Sequence, residues 1–437
     1  MSPEIIAAIV IIGLLFILLA SGLEIAWCFG ITAGVGVMLF LGLSFHLTLG
    51  EIARTEWTSL NAFVYAACPL FIFMGSILSR IGVADQLFFA VEKWVGRLPG
   101  GLADSVIVGQ ALFGAMSGSS IAAVATFGKI AVPSMVERGY DPKLCLGSVA
   151  AGSILAPLIP PSLLMIVYGA WQGVSIVKLF AAGIVPGLML AALYVIMIII
   201  WVKLDPKLVT PPAKVSWGER VRAIAGLLPF VVLIIGVLGV IFGGIMTPTE
   251  AAAMGAFLAL ILSLVYRRLN LAILKESLLD AAKVTSFVFF IVAMAVVLSK
   301  LLNTTGVIPL VKEIVIGWDL GKIGILVLFL GMYLIMGCFI DSWSMLFITF
   351  PLVMPIILDA GISPVWWGVV YMMAGEQSTL TPPFGLNLFI LHNVLPQYSI
   401  GTIARGALPF LIPIYINIAI LVAFPELVHF IPRLMGF

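Results

Sequence analysis

Two proline pairs, Pro160–Pro161 and Pro382–Pro383, lie inside long apolar runs of this sequence. Proline has no backbone N–H, so the carbonyl four residues earlier loses its helical partner. An unpaired carbonyl in hydrocarbon is costly and persists only beside water, a protein donor or a cation. Each pair therefore predicts a broken helix with free carbonyl oxygens, those of Ala156 and Ser378 among them.

Two other apolar stretches, about 103–136 and 323–358, are too long for one membrane span and have polar middles. The middles are AMSGSSIA (115–122), called the first tip, and MGCFIDSWSM (336–345), called the second tip. We interpret both stretches as re-entrant hairpins, because neither tip carries the strong charge of a solvent loop. Two ordinary spans joined by a tight loop are the alternative.

Bare carbonyls and hydroxyls are neutral oxygen ligands, which suit a small hard cation such as Na⁺. If each tip is paired with the break of its own half, two related sodium sites result. The first site is assigned Ser117, Ser120, Ala156, Ile159 and Pro161. The second site is assigned Gly337, Ser378, Thr381 and Phe384. A proline kink repaired by neighbouring hydroxyls is the alternative explanation of either break.

The same arrangement predicts an anionic substrate, because half-helix N-termini present free N–H groups and a positive dipole end. No arginine lies in the tips or breaks, so backbone N–H groups, the bound cations and polar side chains must hold the anion. The side chains assigned to substrate binding are Ser119, Ser342, Ser344 and Asn387. Asp341 and Glu376 are intramembrane carboxylates. We expect them to orient the hairpin or the break, with proton coupling as the rival role.

The composition indicates that these residues belong to a membrane protein. The chain has 437 residues, of which 62% are hydrophobic and 10% charged. Its apolar runs are continuous rather than alternating, which predicts an all-α polytopic membrane protein and excludes a β-barrel. The predicted spans are roughly 4–21, 26–46, 61–79, 143–172, 178–202, 223–245, 249–266, 284–302, 364–394 and 406–432.

An internal repeat organises these spans. SILAPLIPPSLLMI (153–166) resembles QSTLTPPFGLNLFI (377–390), and GLEIAWCFGITAG (22–34) resembles PTEAAAMGAFLAL (248–260). The repeats are 1–202 and 223–437, joined by a cytoplasmic linker, 203–222. Each repeat has five spans and one hairpin. Because five is odd, the second repeat must be inverted relative to the first, an arrangement typical of secondary transporters. EIARTEWTSL (51–60) and LAILKESLLDAAKV (271–284) are interpreted as amphipathic surface helices or loops.

The remaining signals exclude other classes of protein. The net charge of +2 argues against a nucleic-acid partner. The three histidines lie far apart and no nucleophile–base set appears, so we do not expect an enzyme. Most lysines and arginines fall on the linker side of the predicted spans, which places the linker in the cytoplasm.

The chain resembles the large membrane subunit of the tripartite ATP-independent periplasmic (TRAP) transporters. The resemblance covers essentially the whole chain and includes RLPGG (97–101), SGSS (117–120), PLIPPS (157–162), TPTEA (247–251) and GEQSTLTPPFGLNLFI (375–390). Family members often have a more aliphatic segment where this chain has QSTL (377–380).

The resemblance implies a sodium-coupled elevator transporter in the bacterial inner membrane. It implies a small membrane subunit (Q), a periplasmic substrate-binding protein, and an organic acid such as a dicarboxylate, keto acid or sialic acid as substrate. The assigned cation sites match positions that the family uses. A stand-alone sodium–dicarboxylate symporter is the rival, although its usual Ser-Asn-Thr hairpin tips are absent here.

Overall fold

The structure is a computed structural model that describes residues 2–210 and 215–437. Within these residues the chain forms helices and turns and no β-strand, which confirms the all-α prediction. Nine helices among the described residues are long and apolar enough to cross a membrane. Residues 211–214, in the predicted linker 203–222, lie outside the described residues, as does Met1.

The helices of the first half precede the linker. They are α1 (Pro3–Ala20), α2 (Ile25–Phe40), α3 (Phe45–Leu60), α4 (Ala67–Arg80), α5 (Val83–Val95), α6 (Leu102–Ser117), α7 (Ser120–Glu137), α8 (Pro142–Gly152), α9 (Leu163–Gln172) and α10 (Ile176–Leu204).

The helices of the second half follow the linker. They are α11 (Trp217–Phe242), α12 (Pro248–Val265), α13 (Leu271–Thr304), α14 (Val307–Gly317), α15 (Gly321–Met336), α16 (Ser342–Asp359), α17 (Pro364–Glu376), α18 (Leu386–Val394), α19 (Ile400–Ala407), α20 (Leu411–Ala423) and α21 (Glu426–Leu434). Each half thus contains a helical hairpin followed by a broken helix, in the order that the repeat predicts. The inversion of the second half stays a prediction.

Contacts divide the chain into two units that each draw on both halves. Unit 1 consists of Met1–Phe63, Lys283–Tyr333 and Trp343–Pro364. Unit 2 consists of Val64–Ala282, Leu334–Ser342 and Val365–Phe437. This division concerns packing and differs from the predicted repeats, which concern sequence similarity.

In unit 1, α1 packs on α2 and α14, and α2 packs on α3. Lys300 of α13 forms an ion pair with Glu51 of α3, and its hydrogen bond lowers the pKa of that carboxyl. The arms of the second hairpin, α15 and α16, are joined by a hydrogen bond between the hydroxyls of Tyr333 and Thr349, 3.0 Å apart.

In unit 2, the first hairpin lies at the centre of the packing. Its arms α6 and α7 pack on each other and on α8, and α7 also packs on α18. Gln110 of α6 donates to the carbonyls of Val149 over 3.0 Å and Ala123 over 3.4 Å. This fully buried amide joins both arms of the hairpin to α8.

The structure differs from the sequence predictions at the ends of several elements. The segment 271–284 is not a separate surface helix but the beginning of α13, which runs for 34 residues. No glycine or proline lies between Leu271 and Thr304, so nothing in the sequence ends the helix. The predicted span 406–432 is divided at Phe424, because the following Pro425 disfavours helical backbone at that residue.

Candidate ion and substrate site

The first broken helix is interrupted over residues 156–162, called the first break. A 3₁₀ turn, Ser153–Leu155, follows α8, and Ser162 caps α9 by accepting a hydrogen bond from the Met165 N–H over 3.2 Å. Among the described residues, no backbone N–H donates to the carbonyls of Ala156, Ile159 or Pro161. The expected free oxygens are therefore present at the first break.

The first tip lies directly against the first break. Gly118 has a φ of +59°, and a Cβ added there would lie 2.7 Å from the Pro161 carbonyl oxygen. Ser117 is buried, and its Oγ has no hydrogen-bond partner among the described residues. Ser119 is half-buried, and its hydroxyl caps α7 by accepting from the Ala122 N–H over 3.4 Å.

These groups fit a small cation. A buried hydroxyl without a partner and carbonyls without backbone donors lie beside the same tip, and all are neutral oxygen ligands. The predicted pairing of the first tip with the first break is therefore present. The identity of the ion stays a prediction.

The second broken helix is interrupted over residues 380–385, called the second break. A 3₁₀ turn, Gln377–Thr379, follows α17, and α18 begins after Gly385, whose φ is +40°. The Thr381 hydroxyl donates to the Gln377 carbonyl over 2.8 Å. The Ser378 hydroxyl is buried and has no hydrogen-bond partner among the described residues.

One detail of the second break differs from the sequence prediction. The Ser378 carbonyl is not free, because it accepts a long hydrogen bond of 3.4 Å from the Thr381 N–H. The chain tightens into a 3₁₀-type turn before the prolines, and this turn supplies a donor that a straight helix would not. The free oxygen of Ser378 is consequently its hydroxyl.

The second tip contacts the second break through its backbone. The Phe384 N–H donates to the Cys338 carbonyl over 3.2 Å. Gly337, assigned to the second sodium site, is buried next to Cys338, whereas the Phe384 side chain is exposed. The predicted pairing of the second tip with the second break is therefore also present.

Glu376 joins the second tip to the end of α17. Ser342 donates to its Oε1 over 2.8 Å, and the Tyr371 hydroxyl donates to the Ser342 carbonyl over 2.6 Å. Ser120, at the first tip, interacts with the same carboxyl group. Oε2 has no hydrogen-bond partner among the described residues. This geometry agrees with the expected orienting role of Glu376.

Asn387 joins the two broken helices to each other. Its amide nitrogen donates to Ser153 over 2.9 Å and to Thr379 over 3.0 Å. The side chain is fully buried, and its Oδ1 has no hydrogen-bond partner among the described residues. Its two amide hydrogens are used within the protein, so only Oδ1 is left for the predicted contact with a ligand.

The other assigned residues lie in different settings. Ser344 is buried and Asp341 half-buried. Sequence reasoning missed Ser153 and Tyr415, and it noted Gln377 and Thr379 only as part of the polar QSTL segment without assigning their side chains to a site. The Tyr415 hydroxyl bonds to the Gln377 side-chain oxygen. The only signal in the sequence was that each of these residues is polar within an apolar run.

Comparisons with known proteins bear on the family of this chain. The family model described as "Tripartite ATP-independent periplasmic transporter, DctM component" matches residues 12–427. The C4-dicarboxylate TRAP transporter large permease protein DctM of Vibrio cholerae is 30% identical, over 97% of this chain and 98% of that protein. The 2,3-diketo-L-gulonate TRAP transporter large permease protein YiaN of Escherichia coli is 31% identical, over 97% of this chain and 98% of that protein.

The fold is also similar to a solved transporter structure. The YdaH transporter of Alcanivorax borkumensis superimposes with a TM-score of 0.57 over 88% of this chain and 90% of that chain. At 15% identity this likeness concerns the fold alone. The family match extends over most of the chain, and the relatives are permeases rather than enzymes. The chain belongs to the DctM-component family of the TRAP transporters, as a large membrane permease component of a three-part transporter.

Proposed function

We propose that this chain imports a small organic anion across the bacterial inner membrane by sodium-coupled symport. In this proposal a periplasmic binding protein delivers the anion, and a small membrane subunit completes the complex. The substrates after which the relatives are named, a C4-dicarboxylate and 2,3-diketo-L-gulonate, support an organic anion as substrate. The tripartite family description supports the two partners over a stand-alone sodium–dicarboxylate symporter.

The observation that carries the proposal is the pairing of each tip with a break. At the first break, Ser117 and the carbonyls of Ala156, Ile159 and Pro161 supply neutral oxygens. At the second break, the buried hydroxyls of Ser378 and Thr381 do the same. Since neutral oxygens add no compensating charge, a monovalent ion is favoured over a divalent one. Sodium bound at both breaks would satisfy polar atoms that otherwise remain buried without partners.

The substrate carboxylates would bind near these cations. Helices α7, α9, α16 and α18 each begin at a tip or a break, and each helix N-terminus is a positive dipole end that favours an anion. Ser119 and Ser342 lie at two of these N-termini, and Ser344 lies in the first turn of α16. Movement of the hairpins and broken helices past the remaining helices, as an elevator, would give alternating access.

Uptake into proteoliposomes tests the proposal. The chain is reconstituted with a small TRAP subunit and a periplasmic TRAP binding protein from the same genome, under an inward sodium gradient and with labelled succinate or a labelled sugar acid. We expect uptake that requires both sodium and the binding protein, and that Ser120→Ala and Thr381→Ala weaken its sodium dependence. Uptake that is the same with potassium replacing sodium rejects the coupling, whereas sodium-driven uptake without a binding protein indicates a stand-alone symporter.

A further inference from the structure

Arg220, in the first turn of α11, is a buried cation held by aromatic rings. Its side chain is only 6% exposed, and its guanidinium carbon lies 5.8 Å from the Trp94 ring centroid and 5.2 Å from that of Trp217. Trp94 also donates to the Arg220 carbonyl over 3.2 Å. Among the described residues, Nε and Nη2 of Arg220 have no hydrogen-bond partner. Aromatic faces attract a cation but leave its charge uncompensated.

A groove of about 430 Å³ lies next to this cluster, between α5 and α11. Its lining combines two basic side chains with small and apolar ones: Gln86, Phe89, Ala90, Lys93, Glu219, Arg222, Ala223 and Gly226. Glu219 is already engaged, because its carboxylate accepts from the Ser216 N–H over 2.8 Å and from the Ser216 hydroxyl over 3.0 Å. These donors are uncharged, so the lining carries two positive charges, of Lys93 and Arg222, against one negative charge, of Glu219, and is positive by one charge.

The groove has a charged end and an apolar end. Because Trp94 contacts Trp217 and Arg220, the end of α5 at Lys93 lies beside the beginning of α11. From this end the groove passes Lys93 and Arg222 and continues along Phe89, Ala90, Ala223 and Gly226, with the uncharged Gln86 as the last lining residue of α5. Trp217 is 68% exposed and Trp94 40% exposed, as expected for indoles at a membrane–water interface. These indoles indicate that the charged end lies at the interface, and the other end of the groove lies further along α11, a helix long and apolar enough to cross a membrane.

The electrostatics of the charged end favour an anion. A helix N-terminus is already positive, and the first two turns of α11 carry Arg220 and Arg222 against one acidic residue, Glu219. Arg97 joins them by donating to the Val215 carbonyl over 2.9 Å, immediately before α11. A ligand that is anionic at the interface and apolar below it matches both ends of the groove.

We propose that the groove between α5 and α11 binds an anionic phospholipid. The lipid phosphate lies beside Lys93 and Arg222, within the field of Arg220, and an acyl chain follows Phe89, Ala223 and Gly226. A soluble phosphate shares the headgroup chemistry but does not use the apolar half of the groove. The proposal is independent of which solute the protein transports.

Native mass spectrometry of the full chain in detergent tests this site. The probes are dioleoylphosphatidylglycerol and dioleoylphosphatidylcholine at equal concentration. We expect the wild-type protein to retain phosphatidylglycerol preferentially. Lys93→Gln with Arg222→Gln should lower that preference about tenfold, because each basic residue near an anionic lipid adds to binding. Gly226→Leu should lower phosphatidylglycerol retention by obstructing the acyl path.

Matched controls separate this site from general effects. Gly239→Leu also fills an exposed glycine of α11 with open space around its Cβ, and it should leave lipid retention unchanged. Lys275→Gln with Lys283→Gln removes two exposed charges from α13 and should also leave the preference unchanged. An unchanged preference in the Lys93/Arg222 variant overturns the proposal. Displacement of the lipid by millimolar inorganic phosphate, together with normal retention in Gly226→Leu, also overturns it and assigns the groove to soluble anions.

Discussion

The amide nitrogen of Asn387 donates a hydrogen bond to the Ser153 hydroxyl over 2.9 Å, although 234 positions separate the two residues. Ser153 begins the 3₁₀ turn before the first break, and Asn387 lies in the first turn of α18 after the second break. The same nitrogen bonds to Thr379 over 3.0 Å. The two broken helices are therefore fixed to each other by one buried side chain, so the spacing of the two breaks depends on it.

Asn387→Ala removes both of these hydrogen bonds. We expect the variant to be less stable by about 1–3 kcal/mol, because two buried hydroxyls lose a donor and a cavity remains. Thermal unfolding of the purified protein in detergent measures the change. Asn303→Ala, at an exposed position of α13, is the control and should leave the midpoint within error. Equal midpoints for the two variants would show that Asn387 has no role in holding the broken helices together.

Gly118→Ala tests the contact between the first tip and the first break. Gly118 has a φ of +59°, and an added Cβ would lie 2.7 Å from the Pro161 carbonyl oxygen. Gly173 has a φ of +65° but open space around its Cβ. Gly173→Ala should therefore cost only the left-handed strain of about 1–2 kcal/mol.

Gly118→Ala should cost more than Gly173→Ala and should also raise the sodium concentration needed for half-maximal uptake. The comparison requires unfolding curves and sodium titrations of the two variants side by side. If both variants lose the same stability and keep the wild-type sodium response, the contact between Gly118 and the Pro161 carbonyl does not constrain the first break.

Glu376→Gln distinguishes an orienting carboxylate from a proton carrier. Ser342 donates to Glu376 Oε1 over 2.8 Å, and the amide oxygen of glutamine can accept the same bond. We expect Glu376→Gln to keep measurable sodium-driven uptake with the wild-type dependence on pH. Glu376→Ala, which removes the acceptor, should lower uptake much further. A pH dependence that disappears in Glu376→Gln while uptake persists would assign proton coupling to this residue.

Features set by local sequence could be predicted. The first hairpin, expected at 103–136, occupies Leu102–Ser117 and Ser120–Glu137, and both proline pairs interrupt a helix. Proline removes a donor wherever it stands, so a break follows from the sequence itself. The length of α13 was harder to predict from the sequence. The polar residues near its beginning indicated a separate interfacial segment, although no glycine or proline in it ends a helix.

Features set by tertiary packing could not be predicted. The partners Asn387 and Ser153, or Arg220 and Trp94, are distant in sequence, and only the packing of their helices brings them together. The Ser378 carbonyl was expected to be free, but a local 3₁₀-type bond from Thr381 occupies it. The balance between helical and 3₁₀ bonding at a broken end depends on neighbours that the sequence does not reveal.

In the proposed mechanism the buried hydroxyls of Ser117 and Ser378 bind sodium. The most direct measurement is the sodium concentration for half-maximal uptake by proteoliposomes that contain the complete three-part complex. The control is Ser148→Ala, a fully buried serine whose hydroxyl donates only to the nearby Cys145 carbonyl over 3.0 Å. We expect Ser117→Ala and Ser378→Ala each to raise this concentration about tenfold, the effect of losing roughly 1.4 kcal/mol of binding free energy, and Ser148→Ala to leave it unchanged. Wild-type sodium titrations in both variants, with the proteins inserted and folded, would contradict the proposed mechanism.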